Sequence, residues 1–277
     1  MKKTKQRAWV VGIIAIIVSV VVFLVPFSFV IIQAAKSPAE ASDFSYALPS
    51  KWQFVENLLE TLAASDGILV RGLINSAILT VGSVTLMVII SAMAGYVLAR
   101  KNSRLSPVVN FFVLAGLIVP PAVVPTIWVM QRLQLYGTMF GMILIEATFG
   151  LSFCILLFRA FVSNIPRELD EAAVLDGAGP IRLFAQVVLP LLRPAIVTVI
   201  VVQSVFIFND FALPLYILPG AKNVTSQLAL FTFYGQNLSF YNLLFMAIFL
   251  ITIPPLIGFI FFNRQIIGGL TDGAVKG

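Results

Sequence analysis

Long apolar runs alternate with short charged breaks along the chain. Ala8–Ala35, Gly72–Ala99 and Leu105–Gln131 contain no charged residue, Thr138–Phe158 contains only Glu146, and Pro194–Leu218 contains only Asp210. A helix needs about 20 mostly apolar residues to cross a bilayer. The pattern therefore predicts six spanning helices, at about 9–33, 70–99, 106–131, 138–159, 194–218 and 240–263. The polar cluster Thr225, Ser226, Gln227, Gly235, Gln236 and Asn237 reads as a loop before the sixth span. Pro120, Pro121 and Pro125 interrupt the third span, Pro214 and Pro219 fall late in the fifth, and Pro254 and Pro255 break the sixth. Such prolines are tolerated in a membrane where neighbouring groups satisfy the freed carbonyls. Gly137 and Gly141 form a small-xxx-small face early in the fourth span, a weak signal for close packing.

Two connections are longer than a turn requires. Between the first two spans, Trp52, Phe54, Val55, Leu58, Leu59 and Leu62 recur near helical spacing, with Glu56 and Glu60 between them. This predicts a short amphipathic helix on the outer surface. Such a helix either meets an external partner or caps the bundle. The second long connection, 163–193, joins the fourth and fifth spans, and long loops in compact proteins are usually functional.

Composition narrows the classes. Of 277 residues, 60% are hydrophobic and 11% charged, with a mean hydropathy of +1.02. These values exclude an ordinary soluble globule and a disordered chain, and predict an all-α integral membrane protein built as one transmembrane domain, 1–277. There is no His, so His-based triads and His metal sites are excluded. The lone Cys154 allows neither an internal disulfide nor a CxxC metal or redox pair. No Gly-Lys dipeptide occurs, which excludes ATP binding through a P-loop. No metal or cofactor of this chain is expected.

The net charge of +6 reads as membrane orientation, not nucleic-acid binding, because the cations flank the apolar runs. Most of the 18 cations fall on the side of the N-terminus: Lys2, Lys3, Lys5 and Arg7, then Arg100, Lys101 and Arg104, then Arg159, Arg167, Arg182 and Arg193, then Arg264 and Lys276. The other side has Lys36, Lys51, Arg71, Arg132 and Lys222. The positive-inside rule then places both termini in the cytoplasm. The first apolar stretch, Trp9–Ile32, far exceeds a signal-peptide h-region of about 7–15 residues, so it is expected to remain as an uncleaved span. Trp9, Trp52, Trp128, Tyr136 and Tyr241 fall at interfacial levels, where amphipathic rings anchor a helix.

The 163–193 connection reads as a helical hairpin. Pro166 suits the first helical position, and Glu168 and Asp170 suit a first turn. Leu169, Ala172, Ala173 and Asp176 share one face by spacing. The two alanines strip bulk from that face so that another surface can approach, while Glu168, Glu171 and Asp176 can pair with its cations. Gly177 can close the helix, Pro180 can start the next, Pro190 can stop it, and Pro194 can start the fifth span. A hairpin merely resting on the membrane would usually carry many Lys or Arg, whereas this first helix is acidic.

Here the residues resemble a known family. Glu171-Ala172-Ala173, three residues, Gly177, nine residues, then Val187-Val188-Leu189-Pro190 resembles the EAA loop of binding-protein-dependent ABC importer permeases, with Val187 in place of Ile. Gly95-Tyr96-Val97-Leu98-Ala99-Arg100 is similar to "GYALAR" in sugar-type permeases. Asn209-Asp210-Phe211 with Pro214-Leu215 is similar to their "WNDF…PL" segment, with Phe208 replacing Trp. Gly273–Gly277 is similar to the "GAVKG" tail of permeases related to the second maltose-importer permease.

The resemblance implies the type I importer fold, with six spans and a cytoplasmic coupling helix, in a bacterial or archaeal cell membrane. It also implies two cytoplasmic ABC ATPase subunits, a second permease that is usually a different chain, and an external solute-binding protein, all within membrane lipid and without nucleic acid. ATP and Mg would be used by the ATPases. Coupling would rest on Glu171, Ala172, Ala173 and Gly177, supported by Asp176, Leu189 and Pro190. The implied cargo is a sugar. A polyamine or glycerol phosphate permease of the same fold, and an ion-driven carrier, remain as alternatives.

Polar groups inside spans mark a possible path. A carboxylate at mid-membrane costs about 2.5–3.5 kcal/mol on insertion scales and normally faces the bundle interior. Asp210, beside Asn209, either lines a path and meets sugar hydroxyls or ties one helix to another. Glu146 has the same two readings. Asn75, Ser76 and Gln203 are further polar sites, and Phe206, Phe208 and Phe211 either stack on a sugar or face lipid and core.

Overall fold

The long apolar runs are helical in the computed structural model, in one piece or two, because a chain in hydrocarbon must satisfy its backbone internally. The structure describes the backbone of residues 2–101, 103–220, 222–236 and 240–274, and the side chains of these except 2–10, 236 and 263–274. Trp9, Lys2, Lys3, Lys5, Arg7, Arg264, Lys276, Gln236, Asn237 and the Gly273–Gly277 side chains, which entered the reading above, therefore lie outside the described residues. Among the described residues there is no strand. Among the described residues four helices are long and apolar enough to cross a membrane: Val11–Ala34, Phe54–Arg100, Met139–Ser163 and Tyr241–Phe262. Two bent pairs bring the number to six if each pair is one span.

The third span breaks where its prolines interrupt it, and the fifth ends before the prolines that follow it. Ser106–Ile118 and Val123–Arg132 meet at 117°. Pro120 and Pro121 lie in the break, and Val119 before them is extended (ψ 122), as a residue preceding proline tends to be. The fifth span runs Arg193–Asn209 and stops at Asp210, which is extended (ψ 126), before a separate helix Ala212–Ile217. The Asp210 carboxylate accepts the Ala212 amide at 2.9 Å, an Asx-type turn that competes with helix continuation.

Two loop expectations also change. The short outer helix is present but starts the long helix Phe54–Arg100, with non-helical residues Ala64–Gly67 dividing it from span two. Its Asn57 and Thr61 are buried, while Trp52, Val55 and Leu59 near or on it are exposed. The polar segment before the sixth span, read as a loop, forms the helix Ser226–Gln236, in which Leu228 and Phe233 are buried.

The chain clusters into two compact units. One comprises Met1–Val70 with Ala229–Ile253, the other Arg71–Leu228 with Pro254–Gly277. In the first, aromatic rings pack edge-on, with Phe29 on Phe245 at 5.6 Å and Phe54 on Phe249 at 5.5 Å. A buried amide network also lies here. Asn57 donates to the carbonyls of Ala34 and Lys36, both at 2.9 Å, and accepts from Asn242 at 2.9 Å. It thereby satisfies carbonyls at the end of span one, which no helix turn can reach. The buried Lys36 ammonium donates to the Ser45 carbonyl at 2.7 Å.

The second unit holds the main hydrophobic core, built from span two, span four, the 163–193 hairpin and span five, with Met87, Phe158, Val188 and Val199 among its buried residues. Span two and span four approach closely at Gly95. A Cβ there would lie 2.8 Å from Phe158 Cβ and 2.9 Å from the Arg159 amide, so only glycine permits this packing. Span three is tied to span four by Arg159, which donates to Asn110 Oδ1 at 2.7 Å.

Candidate functional site

The 163–193 connection builds the first site. Its first arm is the helix Glu168–Leu175, with three acids in the first turn. Pro166 lies two residues before this helix and not at its first position. Gly177 adopts φ +81, and its amide reaches the Val174 carbonyl at 3.0 Å while Ala178 reaches Ala173 at 2.9 Å. This pair of bonds is a Schellman closure, which requires a left-handed residue at that position. The second arm starts at Pro180, passes through a π-helical turn Phe184–Val188, and ends as Leu189–Leu191. Pro190 lies inside that last turn and does not stop it. Leu192 separates the arm from span five, with a bend of 72°.

The two alanines do not share a face. Ala173 is buried against the core with Leu183 and Val188, whereas Ala172, Glu171, Asp176 and Gly177 are exposed. Ala173 thus lets the arm approach its own spans, and Ala172 keeps the outer face flat. Leu189 is partly buried and Pro190 exposed. The tip carries two large apolar side chains that sequence reading passed over, Leu175 at 89% exposure and Ile181 at 84%. They flank the Gly177–Pro180 turn, and their only signal in sequence was position beside it. A flat, acidic face ending in two unpartnered apolar side chains has the character of a docking surface.

The second site is a cavity of about 800 Å³ within the same unit, lined by Glu146, Phe149, Gly150, Phe153, Val202, Gln203, Val205, Phe206, Ile207, Asn209 and Asp210. Glu146 comes from span four, and Gln203, Asn209 and Asp210 from span five and its break. The Glu146 side chain is 7% exposed, and its Oε1 has no hydrogen-bond partner. It lies close enough to Asp210 for the two carboxyl groups to interact. Asn209 donates to the Val205 carbonyl at 2.8 Å and accepts from Gln227 at 3.2 Å. The cavity combines amide and carboxyl groups with the rings of Phe149, Phe153 and Phe206. Phe208 is buried and Phe211 lies outside the lining. Asn75 also lies elsewhere, donating to the carbonyls of Lys222 at 3.1 Å and Val224 at 2.9 Å, while Ser76 bonds Ser226 at 3.0 Å. Among the described residues, no group of three or more His, Cys, Asp and Glu could hold a metal.

Several apolar membrane-length helices, a hairpin between the fourth and fifth spans, and a largely apolar cavity with four polar side chains at the other end of those spans have the character of a multi-pass permease subunit. The chain belongs to the family of binding-protein-dependent transport system inner membrane components, whose model matches residues 87–267. It is 31% identical over 260 residues to the diacetylchitobiose uptake system permease protein NgcG of Streptomyces coelicolor, covering 92% of this chain and 85% of that one. It is 30% identical over 276 residues to the melibiose/raffinose/stachyose import permease protein MelC of Bacillus subtilis, covering 97% and 96%. Its fold matches a chain of a bacterial ABC transporter involved in import of the acidic polysaccharide alginate, with a TM-score of 0.82 at 20% identity, covering 95% of this chain and 98% of that one.

Proposed function

We propose that this chain is one of two permease subunits of a sugar importer, working with two cytoplasmic ABC ATPases and an external solute-binding protein. The second permease is a different chain, both termini of this one are cytoplasmic, and ATP and Mg are used by the ATPases while this chain binds no cofactor. The carbohydrate names carried by its relatives support the cargo. The observation that carries the docking role is the hairpin, whose Schellman closure at Gly177 leaves Glu171, Ala172, Leu175 and Ile181 outward. On this reading nucleotide-driven closure of the ATPases moves a rigid element that biases a two-state bundle. Glu171, Ala172, Asp176 and Gly177 form the docked face, Ala173 and Leu189 hold the hairpin to its own spans, and Pro190 shapes the last turn of its second arm.

The cavity is the part of the path that this chain supplies. Carboxyl and amide groups of Glu146, Gln203, Asn209 and Asp210 accept and donate to hydroxyls, and the phenylalanine rings cover apolar sugar faces. The test is co-purification from native membranes with an N-terminal tag. The parent should bring an ATPase and a second permease, and Gly177→Pro and Ala172→Arg should lose the ATPase while still inserting. Ala172 is exposed, so its variant separates lost docking from misfolding. A lone parent chain, or a variant that keeps the ATPase, would defeat the reading.

A further inference from the structure

Span two carries the motif Gly95-Tyr96-Val97-Leu98-Ala99-Arg100, which docking does not explain. The structure puts three of its residues to work on one side of the helix. Gly95 packs on Phe158 of span four, as above. Tyr96 packs on Phe184 of the second hairpin arm, with ring centroids 5.5 Å apart, and also stands beside Asp170. Arg100, the last residue of the helix, donates from Nε to Asp170 Oδ2 at 2.7 Å and from its terminal nitrogen to Asp170 Oδ1 at 3.5 Å. The same nitrogen donates to the Ile165 carbonyl at 2.9 Å, just before the first arm. The two side chains are only 10% and 16% exposed.

We infer that the Arg100–Asp170 pair is the joint through which hairpin displacement reaches span two. The inference rests on the docking reading. Spans four and five are joined to the hairpin by the chain itself and move with it. Span two has no such covalent link. Apolar packing at Gly95 and Tyr96 resists compression but yields to tension. A two-pronged charged bond, shielded from water and anchored also on a backbone carbonyl, resists both and fixes direction. Arg100 and Asp170 are therefore positioning residues: neither touches the solute or forms the outward docking face, and Asp170 points inward while Glu171 and Ala172 point out.

The test uses the whole importer in lipid bilayers, with a nitroxide at Ile78→Cys on span two or at Val205→Cys on span five. Both positions are exposed, and the native Cys154 is buried. Spectra are compared between the nucleotide-free and the ATP–vanadate-trapped complex. In the parent both labels should change. With Asp170→Asn the ATPase should stay bound and the Val205 label should still change, while the change at Ile78 is lost. Arg100→Gln should do the same, and the two together should be no worse than either alone, because they remove one joint. A full nucleotide response at Ile78 in Asp170→Asn overturns the joint, and so does loss of the ATPase in that variant, which would move Asp170 into the dock. Arg100→Lys keeps the charge without the fork and is held to the same criterion if the neutral variants do not accumulate. Absence of any response at Val205 in the parent would instead strike the docking reading itself.

Discussion

A polar tie stands out in each unit, and the two are built differently. In the unit of Met1–Val70 with Ala229–Ile253, Asn57 ties side chain to backbone: its amide is spent on the carbonyls of Ala34 and Lys36 and on Asn242. In the other, Arg100 and Asp170 tie side chain to side chain across two helices. An amide locked on helix-end carbonyls has one satisfied geometry, so any displacement leaves buried polar atoms unpaired. A charged pair with two prongs holds its length and direction under load, and its slight exposure lets it re-form if it parts. The first arrangement suits a fixed anchor, and the second a joint that has to transmit movement and survive it.

The comparison breaks first at Asn57. Asn57→Ala should strand the Ala34 and Lys36 carbonyls and the Asn242 amide, a loss of about 3 kcal/mol or more at roughly 1–3 kcal/mol for each stranded group. Thermal unfolding of the detergent-purified complex should show a lower midpoint, with no specific effect on nucleotide response in what remains folded. Asp170→Asn should give the opposite profile. It should cost about 1–2 kcal/mol of stability, below the 3–5 kcal/mol of a fully buried pair because this one is partly hydrated, yet remove the span-two response.

The cavity sharpens the contrast between holding and working roles. Glu146→Gln and Asp210→Asn keep size and replace each carboxyl with an amide. If the carboxyls serve sugar hydroxyls, uptake of raffinose or diacetylchitobiose by the reconstituted importer should fall about tenfold, the worth of roughly one charged hydrogen bond, with thermal stability little changed. A drop in the unfolding midpoint with unaltered uptake would make them a tie between spans.

The smallest effect belongs to Glu40, at the surface of the first unit. Its carboxylate accepts from the Ser50 amide at 3.0 Å and from the Ser37 hydroxyl at 3.0 Å and amide at 3.3 Å, closing a capping box on Pro38–Ser42. These bonds, those with Ser50 foremost, hold its pKa down at about 2 against an ordinary 4.5. A depressed folded pKa contributes stability above the unfolded value and loses it as pH falls through the folded one. The unit should therefore soften between about pH 4.5 and 2, and Glu40→Gln should flatten that part of the pH–stability curve.

Much of this was legible in the chain because membranes make local rules strict. Charge-free runs of sufficient length have few fates, so the spans stand out, and Pro180, Gly177 and the acids of the first arm place the hairpin. Gly177 in particular could be assigned its left-handed role from position alone. The breaks were harder: the prolines announced the one in span three, but the stop at Asp210 depends on a side chain turning back onto Ala212. The helix Ser226–Gln236 was hidden by its polar content, since the burial of Leu228 and Phe233 cannot be read from a loop-like composition.

What the sequence by itself determined, then, is a helical membrane protein of several spans with a helical hairpin of the importer type, because length, hydropathy and turn chemistry act over a few neighbouring residues. Only the tertiary structure decided that Ala173 faces in and Ala172 out, that Asn75 holds a loop while Glu146 joins Asp210 at one cavity, and that Arg100 grips Asp170. Each of those depends on which face of one helix meets which face of another, and that is set by packing between residues far apart in the chain.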